Sequence, residues 1–111
     1  MLLIACLSLT ILPARASTLL VLGDSISAGY GLANLGDGWV ALLEAAVATD
    51  GNRVVNAGVS GDTTAGGVVR LPRLIEKNTP DVVIIELGGN DGLRGISLSE
   101  MDRNLREMIL I

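Results

Sequence analysis

Three short runs of strand length, each breaking abruptly into a small polar or glycine-rich loop, constrain this chain more than any other feature. Thr18-Leu19-Leu20-Val21-Leu22 breaks into Gly23-Asp24-Ser25, and Asp81-Val82-Val83-Ile84-Ile85-Glu86-Leu87 breaks into Gly88-Gly89-Asn90-Asp91. Between them, Arg53-Val54-Val55-Asn56-Ala57-Gly58 runs into Val59-Ser60-Gly61-Asp62. A continuous apolar run with little alternation is the mark of a strand covered on both faces, as in a parallel sheet. The intervening stretches carry helical spacing. Trp39, Leu42, Leu43, Ala46 and Val47 form an apolar stripe with Asp37 as the expected N-cap, and Asp50-Gly51-Asn52 ends it. Thr63 or Thr64 is placed to cap a second helix through Val68, Leu71 and Ile75, with a kink expected at Pro72 and closure at Thr79-Pro80. Ser97 with Glu100 forms a capping box before Met101, Leu105, Met108 and Ile109. Strands alternating with helices predict an α/β fold: a doubly wound parallel sheet in three layers.

A chain of 111 residues is at most one domain, and a small one for this architecture. The Val83-Ile84-Ile85 strand reads as a central strand, and the final helix reaches Ile111 without a stop signal. The expectation is therefore a domain truncated after about three strands, whose natural course continues past Ile111. Half the residues are hydrophobic, almost all aliphatic, which supports a Val/Leu/Ile/Ala core and excludes disorder. The net charge is −4 and the eight basic residues are scattered, which argues against nucleic acid as a partner.

Residues 1–16 read as an export signal. Leu2 to Leu12 is an apolar core, Pro13 breaks it, and Ala14-Arg15-Ala16 supplies a small-x-small cleavage pattern, so cleavage is expected after Ala16. A buried N-terminal helix or strand is the alternative, since no basic residue precedes the apolar core. The run is shorter than the roughly 20 residues that span a bilayer, so no stable membrane anchor is expected. The single cysteine, Cys6, lies inside this segment, and a mature chain starting at Ser17 contains none. The predicted location is periplasmic or secreted.

In a parallel sheet the carboxyl ends of all strands lie at one edge, where open α/β folds place their chemistry. The three loops therefore converge. Ser25 brings a hydroxyl to a helix start, Gly61 a backbone N–H that no side chain blocks, and Asn90 a side-chain amide. A nucleophile with donors aimed at a developing oxyanion is what acyl transfer needs. Each loop alone also has an ordinary explanation as a turn, a cap or a positive-φ glycine. Ser60 is a rival nucleophile, although Gly58-Val59-Ser60-Gly61-Asp62 fails the G-x-S-x-G elbow at its last position.

Three ordered blocks resemble the first three sequence blocks of the SGNH (GDSL) hydrolases. They are Gly23-Asp24-Ser25-Ile26-Ser27-Ala28-Gly29-Tyr30-Gly31, the stretch from Asn56 to Gly67, and Leu87-Gly88-Gly89-Asn90-Asp91-Gly92-Leu93-Arg94-Gly95. They are most similar to the exported bacterial branch described as multifunctional acyl-CoA thioesterase, lysophospholipase and arylesterase. The resemblance implies a flavodoxin-like sheet and an acyl-serine mechanism on small acyl ester, thioester or lysophospholipid substrates. It assigns Ser25 as nucleophile, with its own N–H, the Gly61 N–H and the Asn90 side chain as oxyanion hole. It makes Asp24 structural, excludes Asp24 and Asp91 as the triad acid, and places Asp91, Gly92 and Leu93 at the acyl-binding cleft. No metal or organic cofactor is implied, and the sequence offers no cluster of metal ligands.

One departure is as specific as the match. The family carries its acid and base on a late Asp-x-x-His block, and this chain has no histidine. Ser25 without a base is expected to be inactive, because loss of general-base catalysis typically costs ~10²–10⁴ in rate. The readings that follow are an SGNH esterase/thioesterase segment, a non-catalytic acyl- or carbohydrate-binding module on the same fold, and a nucleotide- or flavin-binding domain. The last is weakened by the absence of G-x-G-x-x-G at the first turn.

Overall fold

The computed structural model describes residues 15–111. The export-signal reading falls mostly outside the described residues. Three parallel strands, β1 (Thr18–Gly23), β2 (Arg53–Gly58) and β3 (Val82–Glu86), form one sheet in the order β2-β1-β3. The register pairs Leu20 with Val55 and Val83, and Gly23 with Gly58 and Glu86, so the three strands end level. Five α-helices accompany the sheet among the described residues: α1 (Ser25–Ala28), α2 (Trp39–Val47), α3 (Thr64–Asn78), α4 (Gly89–Leu93) and α5 (Leu98–Ile109).

Side chains along β1 alternate between two cores, which is the consequence of a two-residue period. Leu20 and Leu22, both fully buried, point to one face, where Leu71 of α3 and Met108 of α5 cover them. Val21 points to the other face and packs with Val40 of α2 and Val54 of β2. Helices on both faces of a parallel sheet make the three-layer architecture that the strand pattern predicts.

Several helix boundaries follow their local chemistry. Thr63 caps α3 by accepting from the Gly66 N–H at 3.3 Å, and Ser97 caps α5 by accepting from the Glu100 N–H at 3.3 Å. α3 runs through Pro72, which sits on its exposed side, and closes at Thr79 in the left-handed region.

Two expectations need correction. Asp37 does not cap α2; it belongs to a 3-10 turn over Leu35–Asp37, and Gly38 occupies the cap position. The buried face of α2 is Val40, Leu43 and Val47, whereas Leu42 is 58% exposed. Apolar residues lie on both sides of this helix, so periodicity alone does not select the face. Among the described residues β3 pairs with β1 and has no partner on its other side, where Val82 is 48% exposed. Hydrophobicity reports that a strand is covered, but strand order is decided by the crossovers.

Candidate active site

The level strand ends bring the three polar loops to one edge of the sheet. After β1, Asp24 caps α1 by accepting from the Ile26 N–H at 2.9 Å. Its second carboxylate oxygen accepts from Asn90 Nδ2 at 3.1 Å. Ser25 is the first residue of α1 and is half-buried, and its hydroxyl makes no hydrogen bond to any described residue. Two further polar side chains fix this turn. Asn56 on β2 donates from Nδ2 to the Ser27 carbonyl at 2.7 Å and accepts from the Gly58 N–H at 2.9 Å. Glu86, the last residue of β3, accepts from Ser27 Oγ at 2.8 Å.

Close packing at this edge explains one of the glycines. A Cβ on Gly58 would lie 2.5 Å from the Ala28 nitrogen, inside the backbone of α1. Gly61 sits at φ +82°, a conformation open to glycine but costly for other residues. Its carbonyl accepts from Arg94 Nη2 at 2.8 Å, and its N–H has no partner among the described residues.

Asn90 ties the first loop to the second. Nδ2 donates to Asp24 and also to the Asp62 carbonyl, at 2.9 Å. Both partners are acceptors, so the orientation of the amide is fixed by its surroundings. Ser25, Gly61 and Asn90 therefore stand on three loops joined through one amide group.

Asp91 differs from its expected position at an acyl-binding cleft. It is fully buried, and its carboxylate accepts from the Thr64 N–H at 2.9 Å and from Thr64 Oγ1 at 2.5 Å. Asn104 of α5 donates to the same hydroxyl at 3.0 Å. A carboxylate held in this way fastens α4 to α3 and α5 and has no access to a ligand. Gly92 and Leu93 are exposed, Leu93 by 86%.

The contacts of Asn56 with Ser27, Glu86 with Ser27, Thr64 with Asp91 and Asn104 with Thr64 carry no sequence signal, because each joins residues at least 27 apart in the chain. No group of His, Cys, Asp and Glu side chains among the described residues is arranged to hold a metal ion. None of the described helices is long and apolar enough to cross a membrane.

The structure is a three-layer α/β fold with a serine turn, a glycine loop and an asparagine loop at one edge of its parallel sheet. Residues 21–110 match the GDSL-like lipase/acylhydrolase family, and the chain belongs to that family. It is 54% identical over 112 residues to the esterase TesA of Pseudomonas aeruginosa, covering 97% of this chain and 55% of that protein. It is 46% identical over 101 residues to thioesterase 1/protease 1/lysophospholipase L1 of Escherichia coli K12, covering 91% of this chain and 48% of that protein. A crystal structure of TesA superposes with a TM-score of 0.77 at 56% identity, over 82% of this chain and 51% of that one. The chain thus spans about half the length of the curated relatives it matches.

Proposed function

We propose that this chain carries the nucleophile and oxyanion-binding part of a carboxylic ester and thioester hydrolase. Ser25 Oγ attacks the acyl carbon, a C–O bond forms, and the hydroxyl proton passes to a general base. The tetrahedral oxyanion collapses with departure of the alcohol or thiol, which takes up that proton. Water then attacks the acyl-Ser25 ester and releases the acid. The oxyanion is held by the N–H groups of Ser25 and Gly61 and by Asn90 Nδ2, which enters the hole by sharing the proton it directs at Asp24. Each such donor is typically worth ~10²–10³ in rate. The 111 residues contain no histidine to serve as that base.

The observation that carries this reading is the pairing of a serine hydroxyl and a Gly61 N–H, both unbonded among the described residues, on loops joined by Asn90. The names of the relatives support ester and thioester substrates, lysophospholipids among them. Gly92 and Leu93, both exposed beside Asn90, form the border that an acyl chain meets. The apolar segment before Ala16 supports export to the periplasm or outside the cell. The test is hydrolysis of a chromogenic short-chain ester by the complete gene product. Ser25→Ala is expected to abolish turnover, and unchanged turnover would overturn the assignment.

A non-catalytic acyl-binding module on the same fold is the second reading, motivated by the missing histidine. Saturable binding of a fatty acid with no ester turnover by the complete gene product would favour it.

A further inference from the structure

Arg70 lies outside the three loops, on the second turn of α3, yet its guanidinium reaches two strand ends and the loop that carries Gly61. Nε and Nη2 both donate to Asp62 Oδ2, at 2.9 and 2.5 Å. Nη1 donates to the Ala57 carbonyl at 3.0 Å, and Nη2 also reaches the Gly23 carbonyl at 3.4 Å. The side chains of Arg70 and Asp62 are only 27% and 11% exposed. This is a withdrawn, multiply bonded cation rather than a solvated surface pair. Gly23 is two residues before Ser25, and Asp62 follows Gly61 directly, so one group touches the chain on both sides of the site.

The Gly61-Asp62 segment is held at every acceptor. The Gly61 carbonyl receives Arg94, the Asp62 carbonyl receives Asn90, Asp62 Oδ1 receives the Thr63 N–H, and Asp62 Oδ2 receives Arg70. The Asp62 carboxylate lies directly on α3, where a Cβ at Gly66 would stand 1.9 Å from Oδ1. With these groups fixed, the Gly61 N–H is the donor left over.

We propose that Arg70, acting through Asp62, is a positioning residue that sets the Gly61 N–H relative to Ser25 for oxyanion binding. The role rests on the hydrolase reading above. It needs arginine rather than lysine, because a planar fork meets three differently placed acceptors at once and an ammonium does not. A displacement of about 1 Å in such a donor can cost about 10²-fold in rate.

The experiment compares wild type, Arg70→Lys, Arg70→Met and Asp62→Asn as complete gene products. The readouts are kcat and KM for a chromogenic ester, inhibition by a boronic acid that forms a tetrahedral anion on serine, and the Gly61 amide signal with its hydrogen-exchange rate by NMR. In each variant kcat is expected to fall by about 10²-fold with KM nearly constant, as for loss of a contact made only in the transition state. Boronate affinity is expected to fall with kcat, and Gly61 exchange to accelerate. Asp62→Asn keeps the shape of the loop and serves if the arginine variants fold poorly. Unaltered kcat and an unaltered Gly61 signal in folded variants would overturn the role while leaving the hydrolase reading intact. A fall in kcat without a fall in boronate affinity would overturn it equally. Wild type inert to both ester and boronate would overturn the hydrolase reading and this role together.

Discussion

The buried Thr64 hydroxyl provides a sharp test of how α4 is held in place. Thr64 is fully buried, donates through Oγ1 to Asp91 at 2.5 Å and accepts from Asn104 at 3.0 Å. Thr64→Val keeps the volume and removes only the hydroxyl. Asp91, also fully buried, then retains a single donor, the Thr64 N–H, and the Asn104 amide loses its acceptor. A hydrogen bond to a charged group is worth ~1.5–3 kcal/mol, and a stranded buried polar group costs ~1–3 kcal/mol. Together they imply a loss of about 2.5–6 kcal/mol, a large share of the ~5–15 kcal/mol that stabilises a typical domain. Urea denaturation of wild type and variant measures it. Thr64→Ser keeps the hydroxyl, and its loss should be close to the ~0.8 kcal/mol of one buried methyl group. Because α4 carries Asn90, Thr64→Val is also expected to lower ester turnover. A loss below about 1 kcal/mol for Thr64→Val, or equal losses for Val and Ser, would refute the account of Asp91 as a fastening residue.

Two further substitutions probe the packing beneath the site. Gly58→Ala drives a Cβ into the backbone of α1 at Ala28; overpacking of this kind costs ~1–3 kcal/mol, and thermal melting together with ester turnover is expected to show both lower stability and a displaced Ser25. Leu71→Ala empties the core between β1 and α3, where Leu71 is 1% exposed; a loss of ~2–5 kcal/mol by urea denaturation is expected, against little change for the exposed Val69→Ala.

Much of the fold is legible in the sequence because each strand of a parallel sheet announces itself as an apolar run. Thr18–Leu22 and Arg53–Gly58 appear within one residue of their expected bounds. The three loops could be grouped before any coordinates, since parallel strands end on one edge. Strand order was not legible. The hydrophobicity of Val83-Ile84-Ile85 says that helices cover the strand, and that holds equally for the middle and the edge of a sheet. The face of α2 was illegible for a related reason, because Val40 and Leu42 are equally apolar and only the neighbouring strand chooses between them. Asp91 shows the limit at the site. Its place beside Asn90 suggests a cleft residue, but its partner Thr64 is 27 positions away, and nothing local reveals that the carboxylate turns inward. Arg70 is the same case: a basic residue on an amphipathic helix looks like solvated surface until Asp62, Ala57 and Gly23 are brought to it.

The central claim is that Ser25 forms the covalent acyl intermediate. The most direct measurement is intact-protein and peptide mass spectrometry of the complete gene product after exposure to an activated alkyl phosphonate ester. Attack by Oγ expels the leaving group and leaves a stable phosphonyl serine. A single adduct on the peptide containing Ser25, absent from Ser25→Ala and accompanied by loss of ester turnover, is the predicted result. An adduct on Ser60, or undiminished turnover after complete labelling of Ser25, would contradict it.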